Sequence, residues 1–450
     1  MCTTLNKIVV KRYAYFGIVR KLFYFLIGGI VVFVNDNVSA QETQLDITKQ
    51  QTLGSFPGSP KETLQKYGLS SDIWVTQIYQ GIIAGDDVGV SRYGGKTDAF
   101  FKIEPEKLGL LRGFSIDAQY EHSLGLDVNR LDDALVAVNT AQAYLRAGGF
   151  HSALSIVVNQ KIDENLSLSI GKFNLLTMAM KTPLIGGGGL NTFMNRAFAL
   201  PSTGVSYTSG TGGAGDRVIL SPPYSLGGMA ELKHGPFEFD IYLVDPRSAQ
   251  SPRVIQRPFE VGVAFGAGMK MTTQIAGLNG THTLRGAYSN ANGVDLNDVT
   301  EFNGMNKTIS GDTVKNGYYF SSYLITQNLV QKIEDPEKSW GVFALYTISD
   351  GNPTPIKWSL LAGLAGNNLM PGRENDRWGV GFYHFGVSQQ LLDSLQNIGD
   401  PKKSEGGIEA FYNYAINKWC YLSADLQIIA PWTPGKPIET VSALRMQTRF

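Results

Sequence analysis

From Asp72 to Phe450 apolar and polar side chains alternate. In GFSIDAQYEH, Phe114, Ile116, Ala118 and Tyr120 share one parity, and Ser115, Asp117, Gln119 and Glu121 the other. In PFEFDIYLV, Phe237, Phe239, Ile241 and Leu243 alternate with Glu238, Asp240 and Tyr242. WCYLSADLQII sets Leu422, Ala424, Leu426 and Ile428 against Ser423, Asp425 and Gln427. The last ten residues, VSALRMQTRF, place Leu444, Met446 and Phe450 on the even parity and Arg445, Gln447 and Arg449 on the odd. Period two is the signature of a strand with two different neighbours. A final strand frays unless it is tied down, so a terminal Phe450 implies an apolar surround.

Turn signals alternate as well. Tight turns are expected at 163–165, 234–236, 278–280 and 417–418. Longer polar, Gly- or Pro-rich stretches fall at 86–95, 248–258, 290–312, 366–376 and 392–407. Short turns at one end and long loops at the other suit an all-β, up-and-down antiparallel transmembrane barrel. Trp74, Tyr79, Trp340, Tyr346, Trp358, Trp378, Trp419 and Tyr421 lie near strand ends and are candidates for interfacial girdles. Alternation alone also fits a soluble sandwich. Charges on the polar parity of many strands, the unbroken pattern and the terminal aromatic favour the barrel, with 72–450 as its extent.

The first forty residues are set apart. Lys7, Lys11, Arg12, Arg20 and Lys21 precede an apolar run, Leu22 to Val34, too short to span a bilayer, which takes roughly 20 residues. Val38-Ser39-Ala40 follows, so 1–40 reads as a secretory signal peptide. Removing those five basic residues and Asp36 from 39 basic and 39 acidic leaves 34 and 38. This balance gives no sign of a nucleic-acid partner. Cys2 leaves with the signal and Cys420 stands alone, so no internal disulfide is expected. Within 41–71, Ser59, Pro60, Glu62 and Gly68 mark a short capped helix.

Several segments resemble the carbohydrate-selective porins of OprB type: LQKYGLSSDIWVTQIYQGIIAGD, VNTAQAYLRAG followed by LSLSIGKFN, LNTFMNRAF at 190–198, and GIEAFYNYAINKWCYLSADLQIIAP. The resemblance implies about 16 strands in the outer membrane of Gram-negative bacteria and passive diffusion of small carbohydrates, monosaccharides or polyols. Outer-membrane lipid and the barrel assembly machinery would be its partners, with Phe450 and Met446 as the assembly signal. A monomer and a homotrimer both fit. The Gly-rich stretches 186–189 and 209–215 depart from the family pattern and leave the pore-lining loop, and with it sugar selectivity, open. A general porin, a barrel enzyme acting on lipid and a secreted adhesin are the alternatives.

Competing chemistry is sparse. GTGGAG (210–215) has dinucleotide-loop spacing but no strand before it or helix after it, so it reads as a loop. The five His residues show no ligand spacing, and no metal or cofactor is expected. A sugar path needs hydrogen-bonding groups and an aromatic surface, held weakly. Parity offers Asp117, Gln119, Glu121, Gln142, Tyr144, Arg146, Glu231, Asp425, Arg445 and Arg449 as lumen residues. The segment 183–223 is too long for a turn and carries Leu190, Phe193, Met194, Phe198 and Leu200, which need cover. It is expected to fold into the lumen, with Asn191, Asn195 and Arg196 facing the water path. Arg196 would sit at the narrowest point, and Phe193 would offer a sugar a stacking face.

Overall fold

A computed structural model describes residues 50–129, 131, 134–143, 149–199, 217–218, 224–246, 258–303, 308–396 and 404–450. The expected signal peptide, Tyr144, Arg146 and GTGGAG lie outside these residues. Among the described residues sixteen barrel strands run in chain order: β1 (Leu69–Ala84), β2 (Ser91–Ile103), β3 (Phe114–Gly125), β4 (Phe150–Lys161), β5 (Leu166–Asn174), β6 (Tyr224–His234), β7 (Phe237–Val244) and β8 (Ala264–Ile275). The second half comprises β9 (Leu278–Val294), β10 (Val314–Gln331), β11 (Ser339–Ser349), β12 (Ile356–Asn367), β13 (Arg377–Val387), β14 (Ser404–Ala415), β15 (Cys420–Ala430) and β16 (Glu439–Arg449). Each pairs antiparallel with the next, and β16 returns to β1, so the sheet closes into a barrel. At that seam Trp74 stands opposite Arg449, Tyr79 opposite Leu444 and Ile82 opposite Val441. Phe450 and Ile73 exchange backbone hydrogen bonds of 2.8 and 3.2 Å, which ties down the last residue.

The turns segregate. At one end the strands are joined by 104–113, 162–165, 235–236, 276–277, 332–338, 368–376 and 416–419; at the other by 85–90, 126–149, 175–223, 245–263, 295–313, 350–355, 388–403 and 431–438, which include all the longest connections. At the short-turn end Asp163 Oδ1 accepts the N–H groups of Asn165 (2.7 Å) and Leu166 (2.8 Å). Those two bonds hold its carboxyl below the usual range. Two expectations shift. The hairpin expected at 278–280 turns two residues earlier: Ala276 and Gly277 both have positive φ (52° and 79°), as a two-residue hairpin turn demands, and 278–280 begin β9. The stretch 366–376 belongs to the short-turn end, and residues 91–95 are already strand.

Burial answers the question left by alternation. A soluble barrel buries its apolar parity; this one does the reverse. Leu444, Met446, Leu426, Ile428, Ile241 and Phe382 are exposed on the outer surface, whereas Arg445, Gln447, Asp425, Gln427, Glu409 and Thr347 are buried inside. Only lipid gives that outer face an apolar solvent. Trp340 and Trp378, 5.8 Å apart between ring centroids, mark the outer surface near the short-turn end, and Trp358 with His384 marks it near the other. Trp74 and Tyr421 are not girdle residues. They fall on the inward parity, where the Arg449 guanidinium lies over both rings at 4.5 and 4.9 Å.

The helix expected near the start forms over Pro60–Lys66. Ser59 Oγ accepts the Glu62 N–H at 3.2 Å, and Gly68 follows with φ 82°. Leu53 N–H donates to the Arg449 carbonyl, so this segment sits against the closing strand.

An arginine placed at Leu426, mid-strand on the outer face, should destabilise the barrel by about 2–4 kcal/mol in urea-titrated refolding into vesicles. The same change at Thr283, on the water-filled side, should cost less than ~1 kcal/mol. Equal costs would contradict an outer face in lipid.

Candidate functional site: the lumen and its inner segment

Sixteen strands enclose a lumen wide enough for water, and part of it is filled by the chain itself. Residues 183–199 cover the inner wall of β11–β16, together with 134–142. Three kinds of contact hold them. Glu409 Oε1 accepts the N–H of Met194, and its Oε2 the N–H of Asn195 (3.0 Å). Arg445, 1 % exposed, donates Nη1 to the Gly189 carbonyl (2.6 Å) and Nη2 to that of Thr192 (2.7 Å). Arg377 donates to the carbonyls of Gly186 (3.2 Å) and Leu184 (3.1 Å). The segment has no sheet of its own, so its buried backbone groups need these side-chain partners. The two inner segments also bond each other: Met194 O accepts from Thr140 N (2.9 Å) and Oγ1 (2.7 Å), and Arg196 N donates to Ala137 O (2.8 Å).

Packing completes the seal. Phe193 stacks on Phe198 at 4.3 Å and meets Phe343 and Phe411 edge-on. The rings fit because β13 carries glycine on its inner face. A Cβ at Gly379 would come within 2.8 Å of Phe193, and one at Gly381 within 2.6 Å of Phe198. The sequence carried a signal for this wall. In VFALYTI (342–348) and LLAGLAG (360–366) both parities are apolar, so the inner parity there also seeks apolar cover.

The expected site residues therefore divide. Phe193 is 1 % exposed among other Phe rings and offers no face to a solute. Asn195 is buried too. Its Nδ2 donates to Gln427 (3.1 Å) and its Oδ1 accepts the Ala197 N–H (2.9 Å). Both serve the inner segment rather than the water path, because the segment turns its apolar side and its backbone to the wall. Asn191 lines a small side cavity, and Arg196 the main one. Glu121 is also off the path. It is 2 % exposed, paired to Lys96 and bonded by Tyr224 Oη (2.5 Å) and Asn174 Nδ2 (2.7 Å). Asp117 and Glu231 do line the main cavity, while Gln142, Asp425 and Arg445 are buried and do not line it.

That cavity, about 1240 Å³, runs along the inner wall from β2 to β10. Its lining mixes apolar and polar side chains, and the charged ones balance. Seven acidic groups (Asp72, Asp117, Asp163, Glu164, Glu231, Glu238, Asp240) meet seven basic ones (Lys102, Lys161, Lys181, Arg196, Lys233, Lys270, Arg285). Cross-strand contacts along it include the ion pairs Arg285–Asp240 at 2.6 Å and Lys270–Glu238 at 3.1 Å and the hydrogen bonds Asn159–Asp117 at 2.7 Å and Ser169–Asn159 at 2.7 Å. Such ladders present donors and acceptors to a passing solute without a net field along the wall.

An inside-out closed barrel with a charged lumen narrowed by its own chain defines a transmembrane diffusion channel. The model of the OprB family of carbohydrate-selective porins matches residues 91–450, and the chain belongs to that family. It is an outer-membrane channel for passive diffusion of carbohydrates. Among solved structures it is similar to OprB of Pseudomonas putida at high pH (TM-score 0.72, 15 % identity, 90 % of this chain and 99 % of that one). The low-pH structure of the same protein gives a TM-score of 0.50 at 14 % identity, covering 90 % of this chain and 99 % of that one. At these identities the likeness shows the fold. Comparison with curated protein sequences gives no match.

Glu409→Ala should remove the acceptor of two buried N–H groups and loosen the inner segment by about 1–3 kcal/mol. Planar-bilayer recordings should then show larger, noisier single-channel currents from a barrel that still resists unfolding in cold detergent. Unchanged currents would mean that Glu409 does not hold the segment.

Proposed function

We propose that this channel passes small neutral carbohydrates, monosaccharides or polyols, along the β2–β10 wall, with Arg196 setting the constriction. The equal numbers of acidic and basic groups lining the cavity carry this reading. A neutral, hydroxyl-rich solute gains hydrogen bonds from both kinds of group, whereas an ion of either sign meets as many repelling as attracting charges. Arg196 opens the short helix Arg196–Ala199 on the inner segment and lines the same cavity as the Asp240–Arg285 and Glu238–Lys270 pairs, which supports this reading. Asp117 and Glu231 continue the hydrogen-bonding surface on that wall. Weak, repeated contacts of this kind suit flux better than one tight site. The lining groups also pair with one another across strands, an arrangement for solvating a permeant rather than for activating a nucleophile.

Liposome swelling separates a sugar channel from a general one. Glucose and mannitol should enter faster than neutral amino acids of similar size. Arg196→Ala should shift reversal potentials toward cations and change the rate of glucose entry at least twofold, with barrel stability unchanged. Equal entry of sugars and amino acids would favour a general porin. Unaltered selectivity and flux in a normally inserted Arg196→Ala channel would remove Arg196 from the path.

A further inference from the structure

Beside the main cavity, towards the short-turn end, lies a second one of about 370 Å³. The two adjoin, sharing Asp72, Phe100, Thr177 and Lys181. Their charge differs. The smaller cavity has three cations, Lys181, Arg377 and Arg449, against Asp72 alone. Asp72 is partly engaged: its Oδ2 accepts Trp74 Nε1–H at 2.7 Å, and its Oδ1, without a hydrogen-bond partner among the described residues, lies 3.8 Å from Lys61 Nζ.

Among the described residues none of the three cations has a carboxylate partner. Arg377 spends both Nη groups on the carbonyls of Gly186 and Leu184. Arg449 donates Nε to Gln447 Oε1 (2.9 Å) and rests on the Trp74 and Tyr421 rings, leaving its Nη groups without a protein acceptor. Arg377 and Arg449 line the same small cavity, so their like charges oppose one another. Three cations gathered in one recess against a single carboxylate favour an anion there. A guanidinium with two unclaimed Nη groups matches the two-oxygen geometry of carboxylate and phosphate. Trp74 and Phe100, in edge contact at 5.1 Å, supply an apolar wall for a sugar ring.

We propose that this recess is a weak subsite for the oxyanion of a small acidic sugar, a carboxylate or a phosphate, beside a path that is otherwise neutral. The inference rests on reading the chain as a sugar channel, but its test does not. Glucuronate or glucose 6-phosphate is added to one side of the full-length protein in planar bilayers, and the concentration that half-blocks the KCl current is read. The variant is Arg449→Gln with Lys181→Gln, since neither side chain holds the inner segment. The half-blocking concentration should rise about three- to tenfold for at least one probe. Arg449→Gln alone, which leaves the lining of the main cavity intact, should keep the glucose entry rate of the unmodified channel. A response to glucuronate identifies a carboxylate site, and one to glucose 6-phosphate alone a phosphate site. Unchanged block by both probes overturns the inference; Lys181→Gln by itself serves if the double variant does not fold. Block that responds to the variant in a channel closed to glucose supports the subsite and refutes the sugar-channel reading instead.

Discussion

Backbone hydrogen bonding in lipid governs this structure. A strand edge left open in a bilayer strands a row of N–H and C=O groups at several kcal/mol each. The pairing of β16 with β1 removes that edge. Once the sheet is closed, the other features follow. One parity must face acyl chains, so the other must face the lumen, and the alternation in the sequence becomes an inside-out burial pattern. Phe450 belongs to this closure through its paired bonds with Ile73.

Closure raises a second problem, and its solution shapes the path. A barrel of this size holds a channel wider than a monosaccharide requires. The inner segments narrow it on one side only. They bring backbone into a closed space, and Glu409, Arg445 and Arg377 on the wall bond to it there. These buried charges are thus structural, each spent on peptide groups that no sheet could pair. The opposite wall, free of the segment, sets seven acidic and seven basic groups along the cavity, and buries Lys96, Asp98 and Glu121 as one group. The proposed sugar path runs along the wall the segment leaves open.

The barrel was legible because period two survives in almost every strand, and the side of each residue follows from parity alone. The inner segment was legible as a need: LNTFMNRAF carries too many apolar groups for an open loop. Its facing was not. Phe193 was expected to meet the solute, yet it packs under Phe198 in a groove made by Gly379 and Gly381, two residues whose importance lies in what they lack. The doubly apolar strands β11 and β12 marked the covered wall, but parity reasoning uses only the contrast between faces. Glu121 misled for a related reason. Parity puts it inside the barrel, while its removal from the path depends on Lys96, Asn174 and Tyr224, brought together from other strands. Arg377 opens β13, where parity offers little contrast, and its role became visible only with the segment in place.

The asymmetry of the lumen is the claim on which the account turns, and thiol accessibility tests it directly. In a channel with Cys2 and Cys420 changed to serine, one cysteine is placed at Ser169 on the open wall or at Ser423 on the covered wall. A charged, water-soluble thiol reagent is then applied during single-channel recording. Ser169→Cys should react within seconds and lose conductance, while Ser423→Cys, 2 % exposed in its native form, should remain unreactive. Equal reaction and equal loss of current at both positions would contradict a lumen sealed on one side.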